Sequence, residues 1–512
     1  MAFNAKKDHL LHLIQSLTKA EKRNFKLYTN RYQGDATFVQ LFDVLNQMED
    51  YDDQVVLKVL PSISRRNLAN HKRHLYQQLL KSLRLLYIKR DLEIFIHEQI
   101  DFARILYSKG MYMQALRTLE SVKNKAEEHH QDVLHLEIIE FQKLIEARHI
   151  TRSRRIANKM EGLLDEASQR SRIAHSSNLF SNFNIQVQGW YIEHGHVKSE
   201  PEIAQVQLFL EQNLPQAYLS EQLTFFEKAY LYQAYMWYQY ILLNFTSALQ
   251  YAKKWAALFQ ADPQMQEKDP TLYIRALYYN MVLHYMLDDA ASLGQCLTDF
   301  EAFYKARQAT LDASSLSTAR IYLNLSRLNY AFVSREYQDG IQLIPSLKQE
   351  LRQMEGNTDV HRILLFYYKF AYLHFCDEQY EVALDYLNEI IHLKAGSLRE
   401  DLLHNTRMLH LICHYELGNY RLLDYLLRSV QRIFTKAKDL SPMLDRTLRF
   451  LAELTNKPPA EHPEAFQKYH KILHGLRQSP FERKSVHYLD VPAWVESHLE
   501  KRPRPGSRIS AP

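Results

Sequence analysis

Apolar residues recur three and four places apart through most of this chain, in stretches of several helical turns separated by short polar breaks. The clearest case is residues 366–391, FYYKFAYLHFCDEQYEVALDYLNEII. Tyr367, Phe370, Ala371, His374 and Phe375 share one helical face, Asp377, Glu378 and Gln379 break it, and Tyr380, Ala383, Leu384, Leu387 and Ile390 resume it. The spacing predicts two amphipathic helices meeting across a tight turn. Ala383, small and early in the second helix, lets the partner backbone come close, and the larger residues after it close the contact. One such hairpin cannot bury its own apolar face, so the rest of the chain is expected to repeat it.

It does, in degenerate form. Aligning the small or aliphatic residue early in each second helix gives Ala115, Ala157, Ala204, Ala248, Leu293, Gly340, Ala383 and Leu423, with steps of 42, 47, 44, 45, 47, 43 and 40 residues. Punctuation recurs with them, as Gly110-Met111-Tyr112, Asn244-Phe245, Glu336-Tyr337 and Gly418-Asn419-Tyr420. The pattern predicts an all-α solenoid over residues 91–440. After Leu440 the prolines 442, 458, 459, 463 and 480 cut the chain into shorter pieces, so 441–500 reads as a helical C-terminal cap in which Trp494, Val495 and Leu499 close the core. Residues 501–512, basic and rich in proline, are expected to be a disordered tail.

The first 90 residues follow a different pattern. Thr18 and Glu21 form a capping box for one helix, which Gly34 ends; 36–48 is a second; Asp52 and Asp53 start a third, which Pro61 stops. Ser64 can cap a longer helix to about Lys89, with a stripe of Leu68, Leu75, Leu79, Leu83 and Leu86. A helix, a turn and then a basic helix beginning Arg65, Arg66, Asn67, Asn70, Arg73 has the outline of a helix-turn-helix. The same segment also reads as a helical N-terminal cap with a solvated basic face.

Charge sharpens that division. The chain's net charge is +5, yet residues 1–90 hold 16 Lys and Arg against 8 Asp and Glu, so the other 422 carry 48 against 51. Between Gln54 and Arg90 there are nine basic residues and no acidic one. With only 12 Gly and 15 Pro in 512 residues, the chain is poor in the turn residues that parallel sheets and phosphate loops need. Cys296, Cys376 and Cys413 each stand inside an apolar helical pattern, which fits a reducing cytoplasm and no disulfide framework or zinc site. No long uninterrupted apolar window marks a membrane span, and the amino end lacks an export signal.

Chemistry is sparse. The phosphate-loop, dinucleotide, zincin and nucleophile-elbow motifs are absent. The pairs Glu127/His130, Glu146/His149 and Glu389/His392 have the spacing of dimetal carboxylate sites, but Glu389 and His392 flank the buried-face residue Ile390 and should point to water. His410 and His414 beside Cys413 lack a third ligand in sequence. Arg148, Arg152, Arg154, Arg155 and Lys159 form a second basic run, read as a solvated turn, and the 24 histidines are scattered and read as surface and groove residues. No catalytic site, metal or cofactor is expected.

ILYSKGMYMQALRTLESV and HYELGNYRLLDYLLRSV resemble tetratricopeptide units, in which an apolar helix is followed by Gly, one residue, Tyr, and then Ala with an apolar residue four places on. The family's step is about 34 residues, so the longer steps here require longer helices or turns. LTKAEKRNFKLY near the start and VPAWVESHLEKRP near the finish are similar to the ends of a bacterial group of such proteins. The resemblance implies a superhelix whose first helices line a peptide-gripping face, with no cofactor. Tyrosines crowd those helices, six aromatics falling between Tyr230 and Tyr240 alone. Carrying the family's groove positions across by spacing from each small residue selects Tyr230, Trp237, Tyr240, Arg275, Tyr278, Tyr285, Asn329, Tyr368 and Tyr372. Such rings can serve a binding groove, keeping a hydroxyl for peptide groups, or pack between helices. The Lys and Asn pattern by which some relatives clamp a carboxyl terminus is absent from these positions. The expectation is a non-enzymatic scaffold for a protein or peptide partner, with a nucleic-acid-binding regulator as the alternative.

Overall fold

The computed structural model describes residues 8–30, 37–148, 159–219, 222–353, 360–392, 400–436, 441–477, 479, 481–482 and 488–500. Among them the regular structure is helical throughout, and the chain is an all-α solenoid of helical hairpins. None of these helices is long and apolar enough to cross a membrane. Gly34, Ala157, Arg152, Arg154, Arg155 and the tail 501–512 lie outside the described residues.

Two compact units divide at His175 and Ser176, inside one long helix. In the first unit, α1 (His9–Ser16), α2 (Lys19–Thr29), α3 (Thr37–Gln47), α4 (Asp53–Val59) and α5 (Leu68–Tyr87) share a core built from Leu10, Ile14, Phe25, Phe42, Leu75 and Leu79. Thr18 and Glu21 form the reciprocal capping box, and the Asp52 carboxylate accepts from the Gln54 N–H to start α4. The expected Ser64 cap differs. Ser64 O accepts from Asn67 N and Leu68 N, so 64–67 is a turn, and α5 begins four residues later with its apolar stripe already in register. A separate core from Ile96 to Ile145 joins α6 (Leu92–Ser108), α7 (Tyr112–Glu128) and α8 (Asp132–Arg148). The long helix α9 (Lys159–His194) starts against them: Glu166 accepts from Lys123 at 3.1 Å and meets His135 Nε2 at 2.9 Å. His135 is fully buried, and burial holds its imidazole below its ordinary pKa.

The second unit continues α9 into α10 (Glu200–Asn213), then pairs α11 (Phe225–Ile241) with α12 (Phe245–Ala261). After the short α13 (Met265–Lys268) the pairs are α14 (Pro270–Met286) with α15 (Ala290–Arg307), α16 (Ala313–Ser334) with α17 (Tyr337–Gln353), α18 (Val360–Cys376) with α19 (Tyr380–His392), and α20 (Glu400–Glu416) with α21 (Tyr420–Lys436). α22 (Pro442–Thr455), α23 (His462–Arg477) and α24 (Val491–Glu500) close the chain, with Trp494 and Val495 buried. Contacts run to neighbouring helices and the next hairpin, as a stacked array requires.

Six turns share one backbone solution. In each, the helix before the turn ends with a left-handed residue, and two hydrogen bonds close the turn in a Schellman motif. At the α18–α19 turn Glu378 has φ 59°, Glu378 N donates to Phe375 O at 3.1 Å, and Gln379 N donates to His374 O at 2.8 Å. Gly110, His130, Leu243, Asp288 and Gly418 occupy the same position with the same bond pair. The residue after the left-handed one accepts the first bond of the next helix, from an N–H four places on. That fixes the register: Ala115, Ala248, Leu293, Ala383 and Leu423 are those donors, and each is fully buried. Gly340 is buried too, and an added Cβ would come within 2.9 Å of Ala331 Cβ and Leu373 Cδ2, so α16, α17 and α18 need glycine there.

Ala204 departs from the aligned set, being exposed, with Val206 buried instead. Residues 159–194 form one unbroken helix, so no tight turn sets a second-helix register in this stretch.

Only two of the six turn positions are glycine, although a left-handed residue with a side chain costs roughly 1–2 kcal/mol. Glu378→Gly should therefore raise stability by about 0.5–1 kcal/mol, and Gly418→Ala should lower it by a similar amount. Chemical denaturation of the two variants checks the signs.

Candidate functional site

A cavity of about 210 Å³ opens in the second unit on the face made by successive first helices. Its wall takes Tyr191 from α9, Trp237 and Tyr240 from α11, Tyr278, Tyr279 and Tyr285 from α14, Asn329 and Phe332 from α16, and Tyr368, Lys369 and Tyr372 from α18. Rings here sit edge to face or stacked. Trp237 stands edge-on to Tyr279 with centroids 5.2 Å apart, and Tyr278 stacks on Tyr322 at 3.9 Å. Arg362 lies 5.7 Å over the other ring of that stack, Tyr322. Burial pushes the phenols of Tyr278, Tyr368 and Tyr372 well above their ordinary pKa and that of Tyr279 up to about 12, so these hydroxyls stay protonated.

Seven of the nine groove residues selected from sequence line this cavity: Trp237, Tyr240, Tyr278, Tyr285, Asn329, Tyr368 and Tyr372. Tyr230 and Arg275 do not. Tyr230 hydrogen-bonds Ser181 and stacks on Phe226 at 6.2 Å, while Arg275 bonds the phenol of Tyr279 behind the wall and leaves its buried Nε–H without an acceptor.

Of the two readings, a binding groove or packing between helices, Tyr368 and Tyr372 are covered as packing would have them, 3% and 8% exposed. What covers them is the chain's own later segment. Tyr368 Oη donates to the carbonyl of Tyr488 at 2.8 Å, and the Asp490 N–H donates to Tyr372 Oη at 2.9 Å. Both contacts are to main-chain atoms. Farther back along the same segment, Phe481 packs into the cluster of Phe183, Val187 and Ala234, beside Trp237. Just beyond it, α24 is fastened to α20 by one carboxylate: Glu416 Oε1 accepts from Trp494 Nε1 at 2.5 Å and meets His498 Nε2 at 2.7 Å.

His9, His74, His97 and His175 are exposed, as a surface reading expects, but others belong to the fold. His284, His374 and His414 are buried, and each ring's Nδ1 meets the side chain five residues on, Asp289 at 3.2 Å, Gln379 at 2.8 Å and Asn419 at 3.3 Å. These pairs straddle the Schellman turns. The signal was in the sequence, as His284-x4-Asp289, His374-x4-Gln379 and His414-x4-Asn419, and reading the histidines as scattered missed it. His410 and His414 rings stand 4.6 Å apart, and burial together with the neighbouring imidazole takes His410 down to about 4. Among the described residues no group of three or more His, Cys, Asp or Glu is placed to hold a metal ion.

In the first unit, Arg65, Arg66, Asn67, Asn70 and Arg73 are all exposed. Arg65, Arg66 and Asn67 lie in the turn ahead of α5, and Asn70 and Arg73 in its first turns. Of the nearby basic residues, Lys72 pairs with Asp8 and Arg84 with Asp101.

No family model matches this chain, and no curated protein does. Among solved structures, the apo form of RapI is similar over 76% of this chain and 99% of its own, with 11% identity and a TM-score of 0.39. A likeness at that level leaves the functional reading to rest on this chain's own residues.

Proposed function

We infer that this protein is a non-enzymatic helical-repeat scaffold that binds an extended segment of a protein partner on the first-helix face of its second unit. The observation that carries the reading is the hold on Tyr488 and Asp490. Tyrosine hydroxyls on α18 engage a carbonyl and an N–H of the main chain, which any peptide offers, and they do so beside unfilled aromatic space. Side chains that grip the chain's own backbone in this way have the chemistry to grip another's. In this reading 91–440 is the array, with 1–90 and 441–500 as its caps. The three free thiols accord with a cytoplasmic setting.

A random peptide library displayed on phage and offered to the full-length protein tests this. Enriched peptides should bind the wild type and lose tenfold or more, about 1.4 kcal/mol, on Trp237→Ala and Tyr240→Ala. Failure to enrich any peptide, or equal binding to both variants, would contradict it.

One observation favours a second reading, a nucleic-acid contact by the first unit. Arg65, Arg66, Asn67, Asn70 and Arg73 are exposed together in a segment without acidic residues. If they dock on duplex DNA through about five phosphates, log affinity should fall with log salt at a slope near −4.5, about −0.9 per phosphate. Replacing Arg65, Arg66 and Arg73 with Ala should flatten that slope by about 0.9 for each phosphate no longer held. Absence of binding at roughly 50 mM salt would end that reading.

A further inference from the structure

The helices that make the cavity face carry charge of almost one sign. On α11, α14, α16 and α18 stand Lys228, Arg275, Arg320, Arg327, Arg362 and Lys369 against a single acidic residue, Glu227, which is held in the capping box of α11. The other acidic residues of these four hairpins lie on the second helices α15, α17 and α19. Some of the cations are met inside the fold: Arg327 pairs with Glu301 at 2.8 Å, and Arg320 Nε donates to Tyr304 Oη at 2.9 Å. For Arg275 and Arg362, among the described residues, no carboxylate lies within ion-pair distance. Their places are related. Each stands three residues before one that lines the cavity, Arg275 before Tyr278 and Arg362 before Leu365, so each lies one turn from the wall on the same stripe of its helix. Tyr322 of α16 joins them, stacked on Tyr278 and lying under the Arg362 guanidinium. Arg275 bonds the Tyr279 phenol, and both guanidiniums act on that hydroxyl against the upward pull of burial. Both side chains are half-buried. Two cations acting on one hydroxyl, partly out of water and with no carboxylate of the chain beside them, are unfavourable until an anion joins them. The buried Nε–H of Arg275, which has no acceptor, adds to that demand.

We propose that the partner segment bound on this face is acidic, with an Asp or Glu side chain of it held by Arg275 and Arg362 while its neighbours reach the tyrosine wall. The proposal rests on the peptide-binding reading and names the chemistry of that peptide. A guanidinium offers a carboxylate parallel N–H donors, which fix its orientation as well as answering its charge. Two such groups, on α14 and α18 with α16 between them, set the place of one acidic residue along the bound segment.

Two phage libraries offered to the full-length protein test it, identical except that one encodes Asp and Glu wherever the other encodes Asn and Gln. Enrichment should come from the acidic library, with Asp or Glu recurring at one position. For a synthetic peptide of the enriched sequence, titration calorimetry should show a loss of about tenfold when that residue becomes Asn or Gln. With the wild type alone, raising salt from roughly 50 to 500 mM should narrow that gap, since the contact is partly solvated. Arg275→Met combined with Arg362→Met should bring the acidic peptide and its neutral form to within about twofold of one another by weakening the acidic form alone, which a merely structural pair of arginines would not do. A preference for the acidic form that survives in the double variant, or a gap that salt leaves unchanged, overturns the proposal. Equal enrichment from both libraries overturns it too and leaves the peptide reading standing. Enrichment from neither overturns both, and a poly-dT strand then bound by the wild type and lost in the double variant would give this face to nucleic acid.

Discussion

Ala383→Arg should cost about 3–5 kcal/mol and unfold the α18–α19 hairpin before the rest of the array. Ala383 is fully buried where α19 meets α18, in one core with Ala371, Leu387, Leu409 and Ile412. Arginine there brings excess volume, worth about 1–3 kcal/mol, and puts a charge into an apolar core, which is the larger cost. Its neighbour Val382 is 39% exposed, so Val382→Arg should fall within about 0.5 kcal/mol of wild type. Because each hairpin touches mainly its neighbours, loss of one need not melt all. A two-step thermal transition for Ala383→Arg, against a single unshifted one for Val382→Arg, is the expected pair of results. An unchanged melting temperature for Ala383→Arg would mean that the hairpin register is wrong.

Truncation of Tyr368 or Tyr372 to Ala should also be severe, about 3–5 kcal/mol each, as for other buried aromatics. Both rings lie in the core cluster that joins α18 to α20 and to α24. Their hydroxyls are a separate matter. Tyr368→Phe and Tyr372→Phe keep the ring and lose one hydrogen bond to Tyr488 or Asp490, so each should cost only about 1 kcal/mol. The double Phe variant should release Tyr488 and Asp490 from the first-helix face, seen as faster cleavage beside them by limited proteolysis with only a small fall in the melting temperature of the array. Trp237 gives the contrast. Only partly buried at the cavity wall, it should lose less stability than either tyrosine when truncated.

Much of the fold was legible because burial repeats. The turn after Cys376 and the buried face of Ala383, Leu384, Leu387 and Ile390 could be read from spacing alone, since a helix that buries one side has no freedom in its period. The repeat looked degenerate for a backbone reason. Leu243, Asp288 and Glu378 adopt the left-handed conformation that glycine marks at 110 and 418, and no residue type announces that strain. The expected register at Ala204 failed, with Ala204 exposed, because 159–194 runs on as one helix where a hairpin was read.

The cavity was half legible. Spacing from each small residue found Trp237, Tyr240, Tyr278, Tyr285, Asn329, Tyr368 and Tyr372, because successive first helices present the same face. Lys369 was passed over, although it stands next to Tyr368, since a single lysine in a helix has no pattern. The part that sequence could not give is the cover over Tyr368 and Tyr372. Tyr488 and Asp490 are 120 and 118 residues away from their partners and bond through main-chain atoms, which every residue carries alike.

Hydrogen–deuterium exchange on the full-length protein, with and without a peptide enriched by the library, tests the central claim most directly. Protection on binding should be confined to the end of α9 around Tyr191, to α11, α14, α16 and α18, which line the cavity with it, and to residues 488–490 beside them. Protection instead along residues 65–87, or on the second helices α12, α15, α17 and α19, would place the partner elsewhere and contradict the account.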